Sequence, residues 1–294
     1  MRTGTGIDAV APLLEHGGWL RELPRLFEPS DLIWRTPEAL VALTRQLAAQ
    51  GRPLRLERLP ADSPTLPALR AAYRGRGLVL CREAMPTPFI DLADCKGQAD
   101  ACLSPRRRAD LRRAARRAGQ LGLLEYSIHA PTNVTELDTL LTAALAVESR
   151  SWKVATGTAL TTAHDQGAFF THFTHAALAE GMLRFAFLHI DGHPVAMQIA
   201  CQWQQRFWLL KISHDQTYAD CSPGQLLIAH TLANAARQGL ASYEFMGVMA
   251  PWTSLWTRQA RQYVDVRAIP FHPLAARSLL GQALRAARAR LRSR

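Results

Sequence analysis

The stretch that most constrains this chain runs from Leu183 to Gly247. Read at the two-residue period of a strand, Leu183–Ile190, Val195–Trp203 and Phe207–Ser213 form three short apolar runs. Asp191-Gly192-His193-Pro194 and Gln204-Gln205-Arg206 separate them, and Asp-Gly supplies the positive φ of a tight hairpin turn. In the middle run Val195, Met197, Ile199, Cys201 and Trp203 alternate with Ala196, Gln198, Ala200 and Gln202, so one face is apolar and the other small and polar. A polar loop, His214 to Cys221, leads to Ser222-Pro223-Gly224 and a predicted helix over Gln225–Gln238. Ser222 can cap it, Pro223 fits its first turn and Gly239 stops it. No Asp, Glu, Lys or Arg lies between Cys221 and Ala236, which predicts a helix covered on most sides and packed across a sheet. A fourth strand, Ser242–Met246, follows. A helix start at the end of a sheet presents backbone N–H groups and suits an anion, with phosphate the usual guest.

This order of three antiparallel strands, loop, buried helix and strand resembles the core of the GNAT acyltransferase superfamily. More narrowly, Ser151-Trp152-Lys153, Ser213-His214-Asp215 and Ser222-Pro223-Gly224 are similar to motifs of its FemAB-like branch, which is associated with the cell envelope and exopolysaccharides. The resemblance covers Pro88–Phe271. It implies an α/β (α+β) fold with a mixed, mostly antiparallel twisted sheet flanked by helices, and a reduced GNAT-like N-terminal half. The family's phosphate loop, Gln/Arg-x-x-Gly-x-Gly/Ala, falls on Ala219, Ser222 and Gly224, and of these Gly224 alone agrees.

What the resemblance implies is an acyltransferase that moves an acyl group from acetyl-CoA or another acyl-CoA to an amine or hydroxyl of a sugar, peptide or envelope precursor. Main-chain groups of Lys211, Ile212 and Ser213 would hold the carrier arm and the carbonyl oxygen. Ser222, Pro223, Gly224 and Gln225 would hold its phosphates, and Trp152, Lys153 and Gln198 would face the acceptor. The departures at Ala219 and Ser222 keep an aminoacyl-tRNA carrier open, as well as a GNAT-shaped binding subunit without catalysis.

Acyl transfer needs an attacking group near the carbonyl, a base for its proton and donors for the developing oxyanion. Asp215 and Glu148 are the candidate bases, because partial desolvation lifts a carboxyl pKa toward neutrality. His214 is a further candidate, since an imidazole needs no such lift. Simpler roles stand beside these. Glu148 suits an ion pair with a nearby Arg or Lys, Trp152 a core anchor, Lys153 a helix C-terminal cap, and His214 and Asp215 an ordinary exposed loop.

The remaining sequence bounds the setting. With 294 residues and 48% hydrophobic content the chain can build one large or two ordinary domains. Helices are predicted over Pro37–Gln50, Ser63–Tyr73, Thr135–Lys153 and Phe169–Gly181, and strands over Leu54–Leu59, Gly77–Cys81, Leu123–His129 and Tyr263–Pro270. Met85–Leu92, broken by Pro86 and Pro88, marks a boundary. The expected division is a reduced domain over 1–90, the GNAT-like domain over 91–272 and a basic helix over 273–294. Val248–Thr257 carries Trp252 and Trp256 at helical spacing.

A net charge of +11 suggests anionic partners, discounted because three of the 35 basic residues are lysines and arginine richness of this kind tracks composition. A helix over Leu103–Leu121 carries seven arginines between Arg106 and Arg117, read either as a solvated face or as Arg107, Arg108 or Arg112 meeting phosphate. No aromatic residues interleave with them, so nucleic acid other than tRNA is not expected. The basic amphipathic tail is read as a solvated terminal helix or as one touching anionic lipid headgroups. Five scattered cysteines suggest reduced thiols, and His172 with His175 lack a third ligand, so no metal is expected. Gly-x-Ser-x-Gly, Gly-x-x-x-x-Gly-Lys and Gly-x-Gly-x-x-Gly are absent, which removes the commonest hydrolase, P-loop and dinucleotide classes. With neither signal nor span visible, a cytoplasmic location is expected.

Overall fold

Asp191 and Gly192, at φ of 47° and 74°, close the tight turn that their identities predict, and Gln204 and Gln205, at 47° and 60°, close the next. The structure, a computed structural model, describes residues 2–3, 6–22, 29–95, 98–151 and 164–292. Besides two-residue pairings near the N-terminus, its first elements are β1 (Leu14–His16), β2 (Trp19–Arg21), α1 (Pro37–Ala49), β3 (Leu54–Pro60), α2 (Thr65–Ala72) and β4 (Gly77–Asp91). Then come α3 (Pro105–Gly119), β5 (Leu124–His129), α4 (Val134–Glu148), α5 (His164–Leu178), β6 (Leu183–Ile190), β7 (His193–Trp203) and β8 (Arg206–His214). The chain ends with α6 (Pro223–Arg237), β9 (Ser242–Glu244), β10 (Ala260–Pro270) and α7 (Pro273–Arg292).

Two compact units form. The second comprises Pro88–Met246 and Ala250–Gln259. Its strands lie in the order β4, β9, β8, β7, β6, β5, with β8 and β9 parallel and the other neighbours antiparallel. Both faces are covered. Leu226, Leu227, Ile228 and Leu232 of α6 pack with Ala114 and Ala118 of α3 on one face, against Ala186, Ala196 and Ala200. On the other, Leu137, Leu141 and Ala144 of α4 and Phe170 and Ala177 of α5 meet Phe185, Met197 and Ile199. Each fully buried aliphatic side chain contributes about 1.5–3 kcal/mol, so α6 is held to the sheet by the apolar surface of its buried face. Between β7 and β8 the register slips: Ile199 faces Lys211 while Ala200 faces Leu209, leaving Leu210 as an extra, bulged residue.

The first unit comprises Met1–Thr87, Gly247–Met249 and Ala260–Arg294. Its strand order is β1, β2, β3, β10 and the beginning of β4. Leu40, Leu43 and Leu47 of α1 pack on Leu54, Leu56 and Leu59 of β3 and on Val266 of β10. Tyr73 closes this core, and burial pushes its phenol up to about 12.

Five expectations need correction. Strand β10 belongs to the first unit, whereas the sequence division assigned residues 91–272 to the second; a strand's partner, β3 here, is not encoded in its own pattern. The segment with Pro86 and Pro88 is extended and holds the boundary between the units, Thr87 against Pro88, but β4 runs through it without the expected break. The Pro88 carbonyl accepts from Phe245 and the Pro86 carbonyl from Met249, so each proline serves its neighbour through oxygen alone. Helix α4 stops at Glu148 instead of reaching Lys153, because the N–H groups of Arg150 and Ser151 turn to the carbonyls of Val147 and Glu148, three residues back instead of the helical four. Between Val248 and Thr257 there is one 3-10 turn, Thr253–Leu255, that buries Trp256. Lastly, Cys95 and Cys102 are joined by a disulfide, with Cys81, Cys201 and Cys221 free, where five thiols were expected.

Candidate functional site

The parallel pair of β8 and β9 is short. Arg206, Phe207 and Trp208 face Ser242, Tyr243 and Glu244, and no register continues beyond them, although β8 runs on to His214. Past Trp208, β8 keeps β7 on one side, whereas β9, which pairs with β4 through the same three residues, ends at Glu244, and Phe245 beyond it donates to the Pro88 carbonyl of β4. The polar groups of the site collect along this separation.

On the α6 face, Gln198 of β7 is fully buried opposite Ile212. Its amide lies near the Tyr243 hydroxyl, which bonds to Thr231 Oγ1 at 3.0 Å. Neither Nε2 nor Oε1 of Gln198 makes a hydrogen bond of good geometry. Burial raises the Tyr243 phenol far above its ordinary range, so that hydroxyl stays a neutral donor.

On the α4 face, Glu148 is fully buried and its Oε1 is 3.2 Å from Lys211 Nζ. The ammonium also stands 5.9 Å from the centre of the Phe170 ring. Ser213 lies two residues along the same strand face, opposite Met197, with a buried Oγ that has no hydrogen-bond partner. Glu148, Lys211 and Ser213 are thus brought to one face, and the ion-pair role for Glu148 is realised.

Asp215 stands apart from that pair. Arg150 Nε donates to its Oδ2 at 2.6 Å and the Thr217 N–H to its Oδ1 at 2.9 Å. Burial works upward on this carboxyl, but the hydrogen bonds from Arg150 and Thr217 together outweigh it and hold the pKa below the usual carboxylate value. The same guanidinium donates to the carbonyls of Ala146 and Pro194, both at 2.9 Å. Asp215 therefore caps the Gln216–Cys221 turn and locks it to the end of α4, which weakens it as a base.

At the start of α6, Ser222 does not cap through its side chain. It sits in the left-handed region at φ 53°, and its carbonyl takes the N–H groups of Gln225 and Leu226. Pro223 has no N–H to give, so this helix start offers fewer amides to an anion than the Ser-Pro-Gly pattern suggests. Gly224 is buried, and a Cβ there would come 3.5 Å from His214 Nδ1 and 3.8 Å from Ile212 Cδ1, an ordinary contact. That leaves His214, Ile212 and Gly224 together where β8 meets α6.

Gln225 and Arg107 are committed elsewhere. Arg107, buried on α3, donates to Gln225 Oε1 and stacks 4.1 Å above Trp256, whose Nε1 reaches the same oxygen at 2.8 Å. Arg108 donates to the Leu103 carbonyl at 2.6 Å. These two expected phosphate ligands hold the protein together instead, while Arg112 stays exposed. Trp152 and Lys153 lie outside the described residues. His175 contacts Asp138 at 3.1 Å, and among the described residues no three His, Cys, Asp or Glu gather to hold a metal. Sequence reasoning missed Arg150, Tyr243 and Thr231. Tyr243 alone left a trace, as the polar aromatic in the middle of a short apolar strand.

A family profile described as "Acetyltransferase (GNAT) domain" matches residues 105–254, slightly more than half of the chain, and the chain belongs to that family. Solved structures share its fold at low identity. One is a DUF2156 domain from Agrobacterium fabrum assigned to a lysylphosphatidylglycerol synthetase, at TM-score 0.57 and 11% identity, covering 92% of this chain and 83% of that one. FemX aligns at TM-score 0.52 and 11% identity over 87% of this chain and 86% of its own. A conserved protein of unknown function from Bacteroides thetaiotaomicron aligns at 0.57 and 12% over 86% and 79%. No curated protein sequence matches significantly.

Proposed function

We propose that the chain transfers an acyl group from an acyl-CoA thioester to an amine or hydroxyl of a sugar, peptide or envelope-polysaccharide precursor, by direct attack. The observation that carries this reading is the separation of β8 from β9 beyond Trp208, bordered by buried polar groups with hydrogen-bonding capacity to spare at Gln198 and Ser213. Buried groups of that kind are costly unless something completes their bonds. A pantetheine arm, with its own amides, suits both them and the main chain of Lys211, Ile212 and Ser213. In this reading the carrier's phosphate would lie at the head of α6, where Gly224 stands beside His214. When bound, the thioester supplies an activated carbonyl.

Glu148, paired with Lys211, takes the proton from the attacking group. Asp215 is assigned to holding the loop. The Glu148 carboxylate lies on the face opposite α6, so this reading requires the thioester carbonyl to reach that face where the pairing of β8 and β9 has ended. In this reading Glu148→Gln lowers turnover by orders of magnitude with little loss of donor affinity, while Asp215→Asn changes turnover only modestly. Release of free thiol from acetyl-CoA in the presence of a panel of amines and amino sugars measures both. Equal, small losses in the two variants would contradict the assignment.

A second donor is favoured by one observation: Arg106, Arg112, Arg113, Arg116 and Arg117 are all exposed on α3. An aminoacyl-tRNA carrier would meet such a face, and FemX shares the fold. A mobility shift of tRNA that weakens steeply with salt, without heat from acetyl-CoA, would move the proposal to that donor. Silence toward both would leave a binding subunit without catalysis.

A further inference from the structure

Helix α7 is anchored to the first unit along one side. Ala275 is buried, and Ser278 Oγ donates to the Gly18 carbonyl at 3.1 Å. A side chain at Gly18, which has φ of 82°, would run into Ser278, so the approach is close by construction. On the side away from Ala275 and Ser278, Leu280 is 63% exposed; Leu274, one turn before Ser278 on its own side, is 41% exposed, and Phe271, just before the helix, 67%. In sequence Leu284, Ala287 and Leu291 continue the spacing from Leu280 at four, three and four residues, one face of a helix. Arg277, exposed, stands beside this stripe. Between Phe271 and Arg294 there are six arginines and neither Asp nor Glu.

We propose that α7 docks the protein onto an anionic lipid bilayer surface, lying in the headgroup plane with Leu280 and its stripe buried. The charge selects this occupant. A second copy of the helix would bring like charges together with no acid to offset them. A nucleic acid would answer the arginines but leave the leucine stripe in water. An anionic bilayer answers both, since each basic residue near its surface is attracted and each buried apolar side chain adds to the binding. Among the described residues no helix is long and apolar enough to cross a membrane, so α7 lies on the surface and does not span it.

Sedimentation of the full chain with vesicles tests this, using phosphatidylcholine alone and phosphatidylcholine with about one phosphatidylglycerol in three. The expected result is cosedimentation with the anionic vesicles, little with the neutral ones, and weakening as salt rises. Leu280→Glu and Arg277→Glu should each reduce vesicle affinity roughly tenfold without changing far-UV dichroism or melting, because both side chains are exposed. Equal binding to both vesicle types, variants that bind like the parent, self-association without vesicles, or capture of tRNA with indifference to anionic vesicles would each overturn the proposal. Acyl-transfer activity is not part of the readout, so its failure is distinguishable from failure of the catalytic reading.

Discussion

Asp215 carries two opposing influences, and which one wins decides its role. The hydrogen bonds from Arg150 and Thr217 outweigh burial, so its pKa in the folded protein lies below the unfolded value of about 3.9. A depressed carboxyl stabilises the fold above that unfolded value, and the contribution is lost as pH falls through the folded pKa. The parent should therefore lose stability below pH ~4 more steeply than Asp215→Asn, read as melting temperature against pH. Parallel curves would remove the ion pair from the account. Glu148 is different in kind, because its partner is buried too. Glu148→Ala leaves the Lys211 ammonium without its carboxylate at 12% exposure and should cost about 3–5 kcal/mol in urea unfolding. Replacing both with apolar residues of similar volume should recover much of that. Among the free thiols, Cys201 is pushed up to about 11 by burial and Cys221 is also raised, while Cys81 is exposed. A thiol reagent at pH 8 should label Cys81 quickly and the other two slowly.

At the scale of elements, the Arg107, Gln225 and Trp256 cluster ties α3 to α6. Arg107→Ala removes a charged hydrogen bond and a stacked cation and should destabilise by about 2–4 kcal/mol in urea unfolding. Arg107→Lys should recover only part of this, since a point charge cannot stack as a plane does. The strands from Leu183 to Ser213 were legible because strand alternation and Asp-Gly turns are local signals. The charge-free run did the same for α6. What escaped was long-range. Arg150 and Asp215 are 65 residues apart and Arg107 and Gln225 118, and neither pattern marks its partner. Ser222 was misread for a subtler reason: a serine before a helix is usually a side-chain cap, but its left-handed backbone turns its carbonyl to that task instead.

For the whole molecule, membership of the GNAT family rests on the second unit, which contains all but residues 247–249 of the matched region 105–254. Chain order and structural unit part company here, as β10 and α7 return to the first unit after the second is complete. The central claim is that a carrier's phosphate rests at Gly224, where α6 begins, and its arm where β8 leaves β9. Isothermal titration of acetyl-CoA into the parent chain and into Gly224→Glu tests it most directly. The parent should give a saturable one-to-one heat with Kd within about 1 μM–1 mM, and Gly224→Glu, folded by its dichroism, should give none, because a carboxylate would stand in the phosphate's place. Unchanged affinity in the folded variant, or no heat from the parent, would contradict it.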